Sequence, residues 1–74
     1  MDSNIHVVPH GDGWDVTREG ARYAESHHAT QEEAIEAGTA QAQREKVDLL
    51  IHGRDGQIRT RSSFGSMPSG IRGR

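Results

Sequence analysis

The chain has no cysteine and few large apolar side chains. Without cysteine it can form no disulfide, no thiolate metal site and no thiol nucleophile. Only 31% of its 74 residues are apolar, and Trp, Tyr and Phe occur once each, so we expect one small domain. A chain of this length buries only about 60% of the surface that its unfolded state exposes. Its stability therefore has to be marginal or supplemented, and self-association is the natural supplement.

Long apolar runs are also missing. No stretch approaches the roughly 20 apolar residues that a membrane-spanning helix needs. The first four residues, Met1 to Asn4, contain no basic segment leading into an apolar run, which a secretory signal would have. We therefore expect a cytoplasmic protein without membrane contacts.

Charge is divided unevenly along the chain. Residues 1–53 contain four basic and ten acidic side chains, a net charge of −6, whereas residues 54–74 contain five arginines and one aspartate, a net charge of +4. The five arginines form the candidate binding surface: Arg54, Arg59, Arg61, Arg72 and Arg74. A solvated surface explains this pattern most simply. The alternatives are an anionic partner, either nucleic acid or the acidic front half of a second copy.

Three strands are predicted before the central helix. The first is the β-branched run at 5–8, which Pro9 stops, and the second is the alternating segment at 14–18 beyond a glycine-rich turn. The third, at 21–26, is the weakest because alanine and glutamate are poor strand formers. We expect Trp14 and Tyr23 to lie in the core.

A capping box marks the start of the helix. In the segment Thr30-Gln31-Glu32-Glu33, the Thr30 hydroxyl can accept from the Glu33 amide while the Glu33 carboxylate reaches back to the Thr30 amide. The helix should end near Lys46, whose charge suits the negative end of the helix dipole. Gly38 in mid-helix costs about 1 kcal/mol relative to alanine, and close packing against a sheet would compensate for it.

The last two strands form a predicted hairpin. The segment 47–52 is the most apolar strand of the chain and should lie centrally, and an Asp-Gly turn leads to its partner at 57–62. On that partner we expect Ile58 and Thr60 to face inward and Arg59 and Arg61 to face outward. The predicted fold is α+β, a small antiparallel sheet of order β-β-β-α-β-β with one helix on one face. It forms a single domain at 1–65, followed by a flexible, basic tail rich in glycine and serine at 66–74.

Several short blocks occur in a specific order. They are Gly13-Trp14-x-Val16, then Gly20-Ala21, then Thr30-Gln31-x-Glu33-Ala34-Ile35, then Leu50-Ile51-His52-Gly53-x-Asp55-Gly56-Gln57-Ile58. Together they resemble the small bacterial proteins grouped as domain of unknown function 2188, over residues 5–65. The resemblance implies a compact αβ domain found in bacteria and their phages. It implies no activity and transfers no functional residue.

The candidate chemistry is sparse. The spacing of the five histidines fits no common metal site, so we expect no metal ion and no cofactor. His52 could hydrogen-bond to Asp55 in the turn that follows it. The serines near 62–66 lie on a glycine-rich segment rather than on a rigid elbow, and a core this small can hardly enclose a pocket of about 300 Å³. We therefore expect no catalytic residue and no enzymatic activity.

Two binding functions are left. We favour protein–protein contacts, including a homodimer, because the core is small and the strand edges have no obvious protection other than Pro9. If the strand with Arg59 and Arg61 lies at an edge, it could add to a strand of another chain. The alternative is nucleic-acid binding through the basic hairpin and tail, against which stand the acidic total charge and the lack of aromatic stacking platforms.

Overall fold

A computed structural model describes residues 3–65. The predicted order of elements is confirmed: β1 (Ile5–His10), β2 (Gly13–Arg18), β3 (Ala24–His28), α1 (Gln31–Glu45), β4 (Leu49–His52) and β5 (Ile58–Ser62). The tail predicted at 66–74, with Arg72 and Arg74, lies outside the described residues. No helix within the described part of the chain is long and apolar enough to cross a membrane.

The five strands form one sheet in the order β3-β2-β1-β4-β5. Three of the four strand pairs are antiparallel, while β1 and β4 run parallel, so the sheet is mostly rather than wholly antiparallel. The parallel pair arises because α1 carries the chain from β3 across the sheet to the far side of β1. The central strand is therefore β1, with β4 directly beside it.

The helix begins and ends where its capping residues predict. Thr30 is extended, and its side chain accepts a hydrogen bond from the Glu33 amide. Lys46 takes a left-handed conformation with φ 60°, and its N–H donates to the Ala42 carbonyl. A Cβ on Gly38 would lie 3.0 Å from Leu49 Cδ1 and 3.2 Å from a methyl of Val7, so the helix backbone lies directly on the sheet, as predicted.

The core lies between α1 and one face of the sheet. Alternate residues of β1, β2 and β4 supply its larger side chains, and small residues of the helix complete it. The buried members are Ile5, Val7, Trp14, Val16, Ala34, Ala42, Val47, Leu49 and Ile51, with Ile35, Ala37 and Phe64 packed against them. The other face of the sheet has no helix over it within residues 3–65.

Several local predictions are wrong. The third strand starts at Ala24 rather than at residue 21 and runs through His28, because pairing with β2 outweighs weak strand propensity. Tyr23 lies before this strand and is 77% exposed, so it takes no part in the core. Thr60 lies opposite Ile51 on the helix-facing side of the sheet, as predicted, but it is exposed because α1 makes no substantial contact with β5. Ile58 is exposed and lies opposite His52 on the other face, because the register shifts between the two positions.

Pro9 neither stops the first strand, which runs on to His10, nor protects an outer edge of the sheet, because it lies in the central strand β1. Proline cannot donate to a ladder and is normally excluded from such a position. It is tolerated here because β4 pairs only with Ile5 to Val7, so that β1 has β2 as its single partner at Pro9.

Candidate functional site

The strand that carries the predicted arginines lies at an edge of the sheet. Within residues 3–65, β5 pairs with β4 alone, and the register shifts between Ile51 and His52, which leaves Arg59 as an extra residue. A bulge of this kind twists an edge strand and shortens its regular part. Ile58, at the start of β5, keeps 53% of its surface exposed. No strand of the described part of the chain pairs with the outer side of β5, whose regular stretch is short.

Two arginines of β5 pair with carboxylates of their own chain. Arg59 Nη2 lies 2.7 Å from Asp55 Oδ2 and Arg61 Nη2 lies 2.5 Å from Asp48 Oδ2. The Asp48 side chain is only 9% exposed, so Arg61 covers a nearly buried carboxylate. Both arginine side chains are still more than half exposed, at 58% and 57%. Their charges are therefore largely balanced before any partner arrives.

Arg54 is the remaining arginine of the candidate binding surface within the described residues, and it joins two hairpin turns. Arg54 donates from Nη1 to the Gly11 carbonyl and from Nη2 to the Asp12 carbonyl, each at 3.2 Å. Its guanidinium carbon lies 4.7 Å from the centre of the Trp14 ring, a cation–π contact. Arg54 thus has a structural role that its sequence position did not reveal.

A pair of histidines lies on the sheet face that the helix leaves uncovered. His6 of β1 and His52 of β4 lie on neighbouring strands, with His6 Nδ1 2.9 Å from His52 Nε2. His6 Nε2 also lies 3.2 Å from Glu19 Oε1. The predicted hydrogen bond from His52 to Asp55 does not form, because His52 Nδ1 faces the Gly56 carbonyl at 3.5 Å and Asp55 instead accepts from Arg59.

A second group of polar side chains lines an open cleft of about 430 Å³ beside β3. Here Asp15 accepts a 2.5 Å hydrogen bond from His27 Nδ1, and His10 Nδ1 lies 3.7 Å from the other Asp15 oxygen. Ser26 Oγ is bonded to His28 Nε2 at 2.8 Å. Ser26 and Asp15 therefore bond to different histidines, His28 and His27, so these side chains do not form a linked set of nucleophile, base and acid.

Among residues 3–65, no three histidine, aspartate or glutamate side chains converge with the geometry of a metal site. The cleft is larger than the pocket of about 300 Å³ that we expected the core to be too small to enclose. It is an open surface feature rather than an enclosed pocket. It is lined by none of the predicted site residues that the structure describes, Arg54, Arg59 and Arg61, which lie on β5 and on the turn before it.

An ion-pair network joins α1 to β2 and to β3. Arg18 donates to both oxygens of Glu45, at 2.5 and 2.9 Å, and lies 3.6 Å from Glu25. The bonds from Arg18 lower the pKa of Glu45 from its ordinary 4.5 to about 2, and a bond from Gln41 adds to the effect. The same pairing raises the pKa of Arg18 above its already high ordinary value. The network fastens the end of the helix to the sheet.

Comparisons with known proteins agree with the family resemblance. Residues 5–64 match the family described as "Uncharacterized protein conserved in bacteria (DUF2188)". The chain is 32% identical over 66 residues to the "Uncharacterized protein YdaT" of Bacillus subtilis (strain 168), a match covering 89% of this chain and 44% of that protein. The chain thus spans less than half the length of this relative. No solved structure matches it. Since the family match runs from β1 to the residues just after β5, the chain belongs to the DUF2188 family of bacterial proteins.

Proposed function

We propose that the chain is a non-enzymatic protein-interaction module that self-associates by pairing β5 with β5 of a second copy. The observation that supports this most is the position of β5 at the sheet edge, with Ile58 exposed at the start of the strand. An edge strand presents unpaired backbone donors and acceptors, which a strand of another chain can satisfy. The absence of cysteine suits the reducing cytoplasm, where we expect this association to occur.

The ion pairs of Arg59 and Arg61 within each copy reduce the charge repulsion in a symmetric pair. An antiparallel, two-fold pairing centred on Thr60 brings Arg59 of one copy near Arg61 of the other. Like charges directly opposite each other destabilise a pair of strands. Here each arginine already has its own carboxylate, at 2.7 Å for Arg59 and 2.5 Å for Arg61, so the repulsion between copies is reduced.

The short regular part of β5 limits the expected affinity. Its ladder with β4 is regular from Thr60 to Ser62 and irregular before that. An interface built on one short strand and a single apolar side chain falls below the roughly 1,200 Å² of a standard stable interface. We therefore expect a dissociation constant in the micromolar range or above, with exchange between monomer and dimer.

Nucleic-acid binding is the second candidate. The exposure of the Arg59 and Arg61 side chains, at 58% and 57%, supports it, and their pairing with Asp55 and Asp48 counts against it. Binding of this kind would be largely independent of sequence and would fall steeply with added salt.

Sedimentation equilibrium of matched variants tests the proposal. Ile58→Lys places a charge at the proposed pairing strand and should weaken dimerisation at least tenfold. Tyr23→Lys changes the other large exposed hydrophobic residue among those described and should leave dimerisation unchanged. If Tyr23→Lys alone abolishes association, the contact lies beside β3 and the proposed interface is wrong. Retention of the unmutated monomer on mixed DNA or RNA at low salt would instead favour the second candidate.

A further inference from the structure

The contacts of His6 and His52 assign one hydrogen to each ring of the neutral pair. The Glu19 carboxylate only accepts hydrogen bonds, so His6 Nε2, which lies 3.2 Å from it, is the nitrogen that carries hydrogen. His6 Nδ1 then has a free lone pair, and His52 Nε2 donates to it across 2.9 Å. The result is a directed chain of two hydrogen bonds, from His52 through His6 to Glu19.

Acid acts on this chain in two steps. The first proton binds at His52 Nδ1, which faces the Gly56 carbonyl at 3.5 Å, and it leaves the bond between the two rings intact. The second proton has to bind at His6 Nδ1, the nitrogen that accepts this bond. Two N–H groups and two positive charges would then meet at 2.9 Å, so the contact between the rings has to open.

The charged neighbours of the pair do not prevent this repulsion. Glu19, which follows β2, is 58% exposed and contacts His6 through Nε2, on the opposite side of the ring from His52. It therefore cannot lie between the two positive charges. The other charged or titratable groups that neighbouring strands place on this face within residues 3–65 are Arg61, paired with Asp48, and Asp15, next to His10 and His27.

The pair lies beside the strand that we propose to self-associate. His52 is the cross-strand neighbour of Ile58, the exposed apolar residue at the start of β5. The parallel ladder between β1 and β4 ends with the pair Val7 and Ile51, so the bond from His52 to His6 links the next residue of β4 to β1. When this bond opens, β4 loses the link and a charged imidazole is released beside Ile58.

We propose that the His6–His52 pair makes self-association through β5 sensitive to pH, with the bonded pair favouring the dimer and the doubly protonated pair favouring the monomer. This inference rests on the proposed function, because it names the regulation of the same β5 interface. A proton that binds only after the contact opens stabilises the open state, so association weakens as the pH falls. The loss of one hydrogen bond corresponds to roughly fivefold weaker association.

Sedimentation equilibrium at pH 7.5 and at pH 5.0, at constant ionic strength, tests this regulation, together with ¹⁵N spectra of the histidine rings. The dissociation constant of the dimer should rise about fivefold at pH 5.0, where both rings of the pair should carry two N–H groups. His6→Gln keeps an acceptor for His52 but cannot take up the second proton, so it should abolish the pH dependence. His28→Gln is the matched control, since it removes an imidazole from the helix-facing side of β3 and should leave the pH dependence unchanged.

The outcomes separate this inference from the proposed function. A monomer at both pH values would overturn both. A dimer with the same dissociation constant at both pH values would leave the proposed function standing and overturn its regulation. Equal effects of His28→Gln and His6→Gln would show that net charge, rather than the pair, sets the pH dependence. If His6→Gln fails to fold, the ring spectra of the unmutated protein decide, because dissociation while one ring of the pair is still neutral excludes the pair as its cause.

Discussion

Replacing Gly13 by alanine should destabilise this protein strongly, because the neighbouring strand β3 leaves no room for a side chain at this position. Its φ is not positive, so backbone conformation does not require glycine there. A Cβ at Gly13 would instead lie 2.3 Å from the His28 carbonyl oxygen and 2.9 Å from His27 Nε2. The edge strand β3 would have to move by about 1 Å to restore ordinary contact distances.

The cost can be estimated from overpacking. Inserting a methyl group into a filled space costs about 1–3 kcal/mol, and we expect the upper end because the nearest atom belongs to the backbone. In a domain of this size, about 3 kcal/mol lowers Tm by roughly 12–24 °C. Gly11→Ala is the matched control: Gly11 has φ +61° with no atom within 4 Å of its Cβ position, so only the left-handed conformation is penalised, by about 1 kcal/mol.

Urea and thermal unfolding followed by circular dichroism measure both variants, and amide hydrogen exchange locates the damage. Exchange should accelerate at Ala24–His28 in Gly13→Ala before it does so in the buried residues of β1. If Gly13→Ala is no less stable than Gly11→Ala, the close approach of β3 to Gly13 is wrong.

Three further perturbations follow from the contacts described. Acid should remove the stabilisation that the Arg18–Glu45 pair gives to the folded protein. The pKa of Glu45 in the folded protein is about 2, below its ordinary value of 4.5. The stabilisation is therefore complete above about pH 4.5 and is lost as the pH falls towards 2. Glu45→Gln should therefore flatten the dependence of the urea midpoint on pH in that range, and an unchanged slope would contradict the assignment. Arg54→Ala should cost roughly 1 kcal/mol and change Trp14 fluorescence, because the cation–π contact at 4.7 Å is lost; unaltered emission would exclude the contact in solution. Thr30→Ala should cost about 1 kcal/mol of unfolding free energy in urea melts, since the Glu33 amide loses its capping acceptor, whereas Thr30→Ser should be nearly neutral.

Local signals predicted the elements that local chemistry determines. The Thr30 cap and the Asp55-Gly56 turn each lie within a few residues of the structure they specify, and the structure confirms both, although of the predicted capping box only the bond from the Glu33 amide to Thr30 forms. The close packing at Gly38 could also be predicted, because a glycine in mid-helix needs a packing reason.

Other features depend on pairing between strands, which local sequence patterns do not predict. The strand with His27 and His28 forms because β2 offers a partner, although neither residue favours a strand strongly. Similarly, the contact between His6 and His52 depends on β4 lying parallel to β1, which no local pattern specifies. The ion pair between Arg59 and Asp55 is a different case. The two residues are only four positions apart, so the sequence itself offered this pairing.

Hydrogen exchange of the β5 amides at low and at high protein concentration tests self-association most directly. If β5 pairs with a second copy, its outward-facing amides become slower to exchange as concentration rises, and the average mass moves from 8.1 kDa towards twice that value. Exchange in β3, at the opposite edge, should not change. A constant mass of 8.1 kDa, or a rising mass with unchanged exchange in β5, would contradict the proposed function.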